Sequence, residues 1–101
     1  MKAAIAAAEA GANVSLWERN GSLGKKLAIT GKGRCNITND CSSRDLIGNI
    51  PNNGLFLHSA FSRFASADTI DFFASAGVKL KTERGRRVFP VSDDARYCQS
   101  F

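Results

Sequence analysis

The sequence predicts an α/β fold, and three observations support that fold class. The Ala-rich residues 2–10 predict a helix, because Ala has the highest helix propensity, and Gly11 stands where glycines commonly end helices. The short apolar run 14–18 predicts a strand that is buried on both faces, as in a parallel sheet. Residues 78–89 predict a β-hairpin. The helix, the glycine turn and the apolar strand together form the second half of a βαβ unit.

Composition limits the classes of protein to which the chain can belong. Its 101 residues suffice for one small domain, since domains have roughly 100–200 residues, and 44% hydrophobic with 23% charged residues is typical of a folded protein. A net charge of +5 favours anionic partners but does not choose among them. No apolar run approaches the roughly 20 residues that span a bilayer, and Glu9 interrupts the apolar start. We therefore expect neither a signal peptide nor a membrane partner.

Cysteine usage predicts a reduced, cytoplasmic protein. The cysteines are odd in number and follow no metal-ligand spacing, so we expect no metal site. No C-x-x-C pair is present, so a dithiol redox mechanism has no support in the sequence. A buried thiol that behaves as a small hydrophobe is the commoner role for Cys35. The three residues are Cys35, Cys41 and Cys98.

Residues 19–40 predict a long loop with one helical turn at 22–27. Within it, residues 30–36, here called the 30–36 loop, contain two glycines and two cations but no apolar core residue. Such a segment suits close approach of the backbone to an anion or a planar ligand. It is equally compatible with an ordinary surface loop.

Two helices are predicted next. An apolar stripe predicts a helix at 55–64, after a polar stretch at 41–54 that ends in a turn, and His58 is expected to pack within this helix. The second helix is predicted to begin with Asp68 as its N-cap and to end at Gly77. Its expected buried face consists of Ile70, Phe72, Phe73 and Ala76.

The predicted hairpin follows the second helix. Residues 78–83 alternate with period two and predict a strand with one wet face, residues 84–86 form the turn, and residues 87–89 form the partner strand before Pro90. Ser92 is predicted to cap a further helix.

The hairpin also carries the strongest basic patch of the chain. Such a patch could bind nucleic acid, which makes a nucleic-acid-binding module an alternative function. No aromatic residues alternate with these charges, as they would in a single-strand binder, so we expect a solvated hairpin and no nucleic-acid partner. The cations are Lys79, Lys81, Arg84, Arg86 and Arg87.

The residues allow a nucleotide site without requiring one. An acid at a strand end, such as Glu18, accepts hydrogen bonds from ribose hydroxyls in dinucleotide-binding folds, but it can also be simply solvated. Lys25 and Lys26 could neutralise phosphate or remain solvated. Arg34 is better suited to a specific role, because guanidinium offers a planar fork of donors.

Longer motifs carry a family resemblance. Residues 23–39 read LGKKLAITGKGRCNITN, and DTIDFF, GV, ERGRRVFP and SD follow in order at positions 68–93. The motif at residues 23–39 closely resembles the flavin-loop signature of the BaiN-like (YhiN-type) NAD(P)/FAD-dependent oxidoreductases. Together with the later motifs, the resemblance covers nearly the whole chain. It implies a partial Rossmann-like FAD-binding domain of the glutathione-reductase-like type. Residues 1–40 would be its nucleotide- and flavin-contacting part, and residues 41–101 a helical and hairpin extension.

The resemblance also implies residue roles and cofactors. Glu18 would bind the adenosine ribose, and Lys25 and Lys26 would lie beside the FAD phosphates and ribityl chain. FAD would be the cofactor, NAD(P)H the electron donor, and a small organic molecule the substrate, while no side chain is assigned as a catalytic acid or base. The residues expected along the isoalloxazine are Thr30, Gly31, Gly33, Arg34, Cys35 and Asn36.

The family pattern includes segments that the chain does not show. Relatives have a first strand and a GxGxxG loop directly ahead of the helix at 2–10, and several hundred residues after the hairpin. The resemblance therefore implies a fragment that is truncated at both ends and that binds FAD poorly by itself. A non-functional fragment without a ligand is a further alternative. Lys32 stands where many relatives have another glycine.

Overall fold

A computed structural model of the chain describes residues 1–98. It is a mixed α/β structure in which short helices surround one small sheet. The α-helices are α1 (Lys2–Glu9), α2 (Lys25–Ile29), α3 (Ser43–Gly48), α4 (His58–Phe61) and α5 (Ser66–Ser75), the strands are β1 (Thr38–Asn39), β2 (Leu80–Glu83) and β3 (Arg87–Pro90), and 3-10 helices span Thr30–Gly33, Gly54–Leu57 and Ala95–Cys98.

The sheet is antiparallel, with the strand order β1-β3-β2. Leu80 pairs with Pro90 and Glu83 with Arg87, so residues 84–86 close a hairpin and the predicted hairpin is confirmed. Strand β1 lies on the other side of β3, which makes β3 the central strand. As expected of a central strand, β3 holds the buried residues of the sheet, because both of its edges are covered.

The predicted helix at 2–10 is confirmed as α1, and Gly11 follows it with a φ of 85°. The predicted buried strand at 14–18 is wrong. Those residues form neither helix nor strand and are exposed, with Trp17 at 93% exposure. A strand is stable only beside another strand, and the three strands among residues 1–98 pair with one another rather than with this segment.

The core lies where the 30–36 loop, the sheet and the last 3-10 helix meet. Cys35 is 0% exposed and packs with Val78, Ala95 and Cys98, so the prediction of Cys35 as a small buried hydrophobe is confirmed. Partly buried Leu27, Ile37, Phe73 and Leu80 surround this cluster. The loop is therefore part of the core rather than an appendage.

Helix α5 confirms the predicted second helix but corrects its beginning. Ala65 is the N-cap, and Asp68 is the third helical residue, where its Oδ2 accepts a hydrogen bond from the Ala65 N–H at 2.7 Å. A carboxylate in the first turn can reach back in this way, so an acid three residues inside a helix is easily mistaken for its cap. Gly77, with a φ of 87°, follows the helix as predicted.

The structure also corrects the predictions for the other helices. The predicted helix at 55–64 is divided into a 3-10 turn and the short α4, and His58 is exposed instead of packed. The polar stretch at 41–54 contains α3, which the sequence analysis did not predict although Ser42 caps it. Asp94, rather than Ser92, caps the last 3-10 helix, because its Oδ1 accepts the Arg96 N–H at 2.9 Å.

The predicted extension at 41–101 is described as far as residue 98, and its last three residues lie outside the described part. No helix within residues 1–98 is long and apolar enough to cross a membrane.

Candidate functional site

The 30–36 loop is a closed turn that extends from α2 toward β1. Its entry is fixed by the Thr30 hydroxyl, which donates to the carbonyl of Leu27 at 2.8 Å. Its exit is fixed by the Cys35 N–H, which donates to the carbonyl of Thr30 at 3.0 Å. Four positions between these bonds, or next to them, adopt left-handed backbone conformations, namely Gly31, Lys32, Gly33 and Cys35.

Glycine is favoured at the two glycine positions of the loop for different physical reasons. A Cβ on Gly31 would lie 2.9 Å from the backbone N of Asn36 and 2.9 Å from Cε1 of Phe89, so the fold itself needs glycine there. A Cβ on Gly33 would meet nothing within 4 Å, although its φ of 85° favours glycine. Lys32, between the two glycines, is exposed and also has a left-handed φ, of 58°. Gly33 and Lys32 thus lie on the side of the loop that faces open space.

Arg34 anchors the loop to the hairpin. Its guanidinium lies 4.3 Å from the centroid of the Phe89 ring. Nε and Nη2 donate to Asp93 Oδ1 at 2.9 and 2.7 Å, and Nη2 also donates to Glu83 Oε1 at 2.5 Å. The planar fork that the sequence analysis assigned to a ligand is therefore used in large part inside the protein.

Lys81 completes a network of two cations and two carboxylates. Its Nζ lies 2.6 Å from Asp93 Oδ2 and 3.3 Å from Glu83 Oε1. The prediction that the whole basic hairpin patch is solvated is therefore wrong for Lys81, which is half-buried and ion-paired. Its other cations, Lys79, Arg84, Arg86 and Arg87, are exposed.

The network shifts each of its four pKa values in the direction that favours charge. The hydrogen bond to Arg34 is the largest cause that lowers the pKa of Glu83, and the bond to Lys81 is the largest that lowers the pKa of Asp93. Hydrogen bonds to Glu83 raise the pKa of Arg34, and those to Asp93 raise the pKa of Lys81. Glu83 and Asp93 were not predicted as site residues from the sequence, because their partner Arg34 is 49 and 59 residues away along the chain.

The cationic and acidic residues ahead of the loop are exposed. Lys25 and Lys26 lie in the first turn of α2, where solvent reaches both side chains. Glu18 is in the exposed segment before α2, and its Oε1 accepts hydrogen bonds from the backbone and side-chain nitrogens of Asn20 at 2.7 and 2.6 Å. The backbone bond is the larger cause that lowers the pKa of Glu18. Glu18 is thus an ionised acceptor that is held in place by its own turn.

The thiols nearest the loop do not support thiolate chemistry. The side chain of Cys35 is fully buried, so only its backbone could approach a ligand. Cys98 lies beside it, and burial raises the pKa of the Cys98 thiol to about 12. Within residues 1–98, no group of three or more His, Cys, Asp or Glu residues is arranged to hold a metal ion.

The family model that describes the HI0933-like protein Rossmann domain matches residues 1–99. The chain belongs to this family. The resemblance predicted from the sequence motifs is thereby confirmed, and the family is one of FAD-dependent oxidoreductases.

A curated relative supports the same assignment. The chain is 38% identical over 96 residues to the 3-dehydro-bile acid delta(4,6)-reductase of Clostridium scindens. The aligned part covers 92% of this chain but 22% of the relative, so the chain spans about a fifth of that protein's length.

Proposed function

We propose that this chain supplies the flavin-contacting loop and part of the nucleotide-contacting surface of an FAD-dependent, NAD(P)-linked oxidoreductase. The 30–36 loop is the observation that carries the proposal. Core packing holds its inner side, at Gly31 and Cys35, whereas Gly33 presents backbone with no Cβ on its open side. Backbone without a side chain at Gly33 allows a planar ring to approach closely at that position.

The residues present fit FAD in charge as well as in shape. Lys25 and Lys26 are exposed cations for the phosphates, and Glu18 is an ionised acceptor for a ribose hydroxyl. Gly33, Asn36 and the loop backbone would lie along the isoalloxazine. When bound, the flavin supplies hydride transfer, and the protein contributes binding, orientation and electrostatics.

A small organic substrate is the further part of the proposal. The relative from Clostridium scindens is named as a reductase of a 3-dehydro-bile acid, and by this similarity we infer a reductive reaction with NAD(P)H as the hydride donor. The thiols of Cys35, Cys41 and Cys98 are free, which suits a reducing compartment, and we propose the cytoplasm.

The test is a titration of FAD, followed by flavin fluorescence, into the protein expressed from its complete gene. Glu18→Gln is expected to weaken binding because it removes an ionised acceptor, and Lys26→Gln because it removes a phosphate-neutralising cation. The matched controls are Glu9→Gln and Lys79→Gln, which change exposed residues outside the proposed surface. NADPH added without oxygen should then bleach the visible absorbance of the bound flavin.

Two results would contradict the proposal. Wild-type protein that is folded but shows no saturable FAD binding would exclude the flavin site. Equal losses of affinity in the site variants and in their controls would show that the named residues do not contact the cofactor.

A further inference from the structure

We propose that Glu83 and Asp93 are positioning residues that aim a single nitrogen of Arg34, Nη1, at the ligand of the 30–36 loop. This inference rests on the proposed function, because it assigns an atom to the ligand-facing side of the same loop. It assigns roles to two carboxylates that lie on the hairpin and after it, far from the flavin-loop signature in sequence.

The hydrogen bonds of Arg34 divide its nitrogens into two groups. Nε and Nη2 donate to Asp93 and Glu83 at distances of 2.5 to 2.9 Å. Nη1 takes part in none of the hydrogen bonds and ion pairs that hold the guanidinium against these carboxylates within residues 1–98. An Arg nitrogen carries two N–H donors at this end, and the side chain remains 36% exposed, so a ligand can reach them.

The contacts that hold the other two nitrogens of the Arg34 guanidinium also fix the direction of Nη1. Guanidinium is planar, so two anchored nitrogens and one covered face determine where the third nitrogen points. The carboxylates anchor the two nitrogens, and the Phe89 ring covers the face at 4.3 Å. Phe89 itself is 2% exposed and would contact any Cβ added to Gly31, so this support is rigid.

Lys81 keeps the two carboxylates in place. It bonds the second oxygen of Asp93 at 2.6 Å and approaches Glu83 at 3.3 Å. With two cations and two anions the network is neutral, so the positive charge of Arg34 is balanced within the protein before any ligand binds. Nη1 therefore suits an oxygen acceptor of the ligand, either a ring carbonyl or a phosphate oxygen.

The decisive experiment is a double-mutant cycle on FAD affinity, measured in the protein expressed from its complete gene. Glu83→Gln and Asp93→Asn are each expected to raise the FAD Kd by about 10- to 100-fold, by analogy with the range for partners that orient metal-binding side chains. In an Arg34→Lys background the same changes should have little further effect, because they act through Arg34. Asp71→Asn, at an exposed carboxylate of α5, is the control and should leave the Kd unchanged.

A purely structural role predicts a different outcome. Glu83→Gln would then weaken FAD binding by the same factor in the wild type and in the Arg34→Lys background. This result would overturn the proposal, as would an unchanged Kd when Arg34 is present. Titration of riboflavin, which lacks phosphates, shows whether Nη1 binds a ring carbonyl or a phosphate oxygen. If its affinity falls with that of FAD the acceptor is on the ring, and if only the FAD affinity falls it is a phosphate.

A second measurement is independent of FAD. Nitrogen-15 NMR of the 101-residue chain should show slow rotation about the Arg34 Cζ–Nε bond and distinct Nη1 and Nη2 signals, which merge in the Glu83→Gln/Asp93→Asn double variant because neither carboxylate then holds the guanidinium. Merged signals in the wild type would overturn the positioning role even if FAD binds. Distinct signals in the chain, together with no FAD binding by the protein expressed from its complete gene, would leave the positioned guanidinium in place and reject the flavin as its ligand.

Discussion

Replacement of Gly31 by Ala should destabilise the fold more than the same change at Gly33. At Gly31 the new Cβ would lie 2.9 Å from the Asn36 backbone and from Phe89, in addition to the strain of a φ of 59°. Left-handed strain costs about 1–2 kcal/mol and overpacking about 1–3 kcal/mol, so a total of about 2–5 kcal/mol is expected. At Gly33 the Cβ enters open space, so only the strain of about 1–2 kcal/mol applies.

Urea unfolding of the two variants and the wild type, followed by circular dichroism, measures this difference. Both variants lose the same unfolded-state freedom of glycine, so that contribution cancels when they are compared with each other. In the protein expressed from its complete gene, Gly33→Ala is expected to weaken FAD binding although it is the less destabilising of the two changes, because its Cβ enters the open side of the loop. Equal free energies of unfolding for the two variants would refute the packing role of Gly31, and a larger loss for Gly33→Ala would reverse the assignment of the two faces.

Two further predictions concern the loss of stability at low pH and the reactivity of the thiols. Because their folded pKa values are lowered below the ordinary 4.5 and 3.8, Glu83 and Asp93 stabilise the fold above those values and lose that contribution as the pH falls through the lower folded values. The thermal midpoint should therefore fall between about pH 6 and about pH 3, and less steeply in a Glu83→Gln/Asp93→Asn variant, whereas an equal fall in both would exclude the network. With a thiol-reactive dye at neutral pH, half-buried Cys41 should react first and buried Cys35 and Cys98 only after denaturation, since burial raises the pKa of Cys98 to about 12. Prompt reaction of all three thiols would contradict the packing of the core.

Local patterns were sufficient for much of the fold. Helix α1, the glycine at its end, the hairpin and the end of α5 depend on propensity, φ preferences and period-two alternation, which act over a few residues. The motif at residues 23–39, with the matches at 68–93, was enough to indicate the family, because such a signature is long and rare. The glycines of the loop were interpreted from the sequence as room for a ligand, whereas the contacts that require glycine at Gly31 appear only in the structure.

Contacts between distant residues explain the failures. The apolar pattern at 14–18 is that of a buried strand, but burial and strand formation require a neighbouring strand, and the paired strands lie elsewhere in the described structure. His58 lies in an apolar run but faces solvent, since the run is divided between a 3-10 turn and the short α4.

The sequence by itself determined the family through its motifs, and it suggested candidate flavin residues that stay a prediction: a glycine pair, two lysines, one arginine and an acid near a predicted strand end. Only the tertiary structure decided how the arginine is used. Its partners come from strand β2 and from the turn after β3, in which the Asp93 N–H donates to the carbonyl of Pro90 at 3.1 Å. Charge pairing depends on distance in space. Arg34 is separated from its partners by 49 and 59 residues, so no helix or strand periodicity in the sequence predicts these pairs.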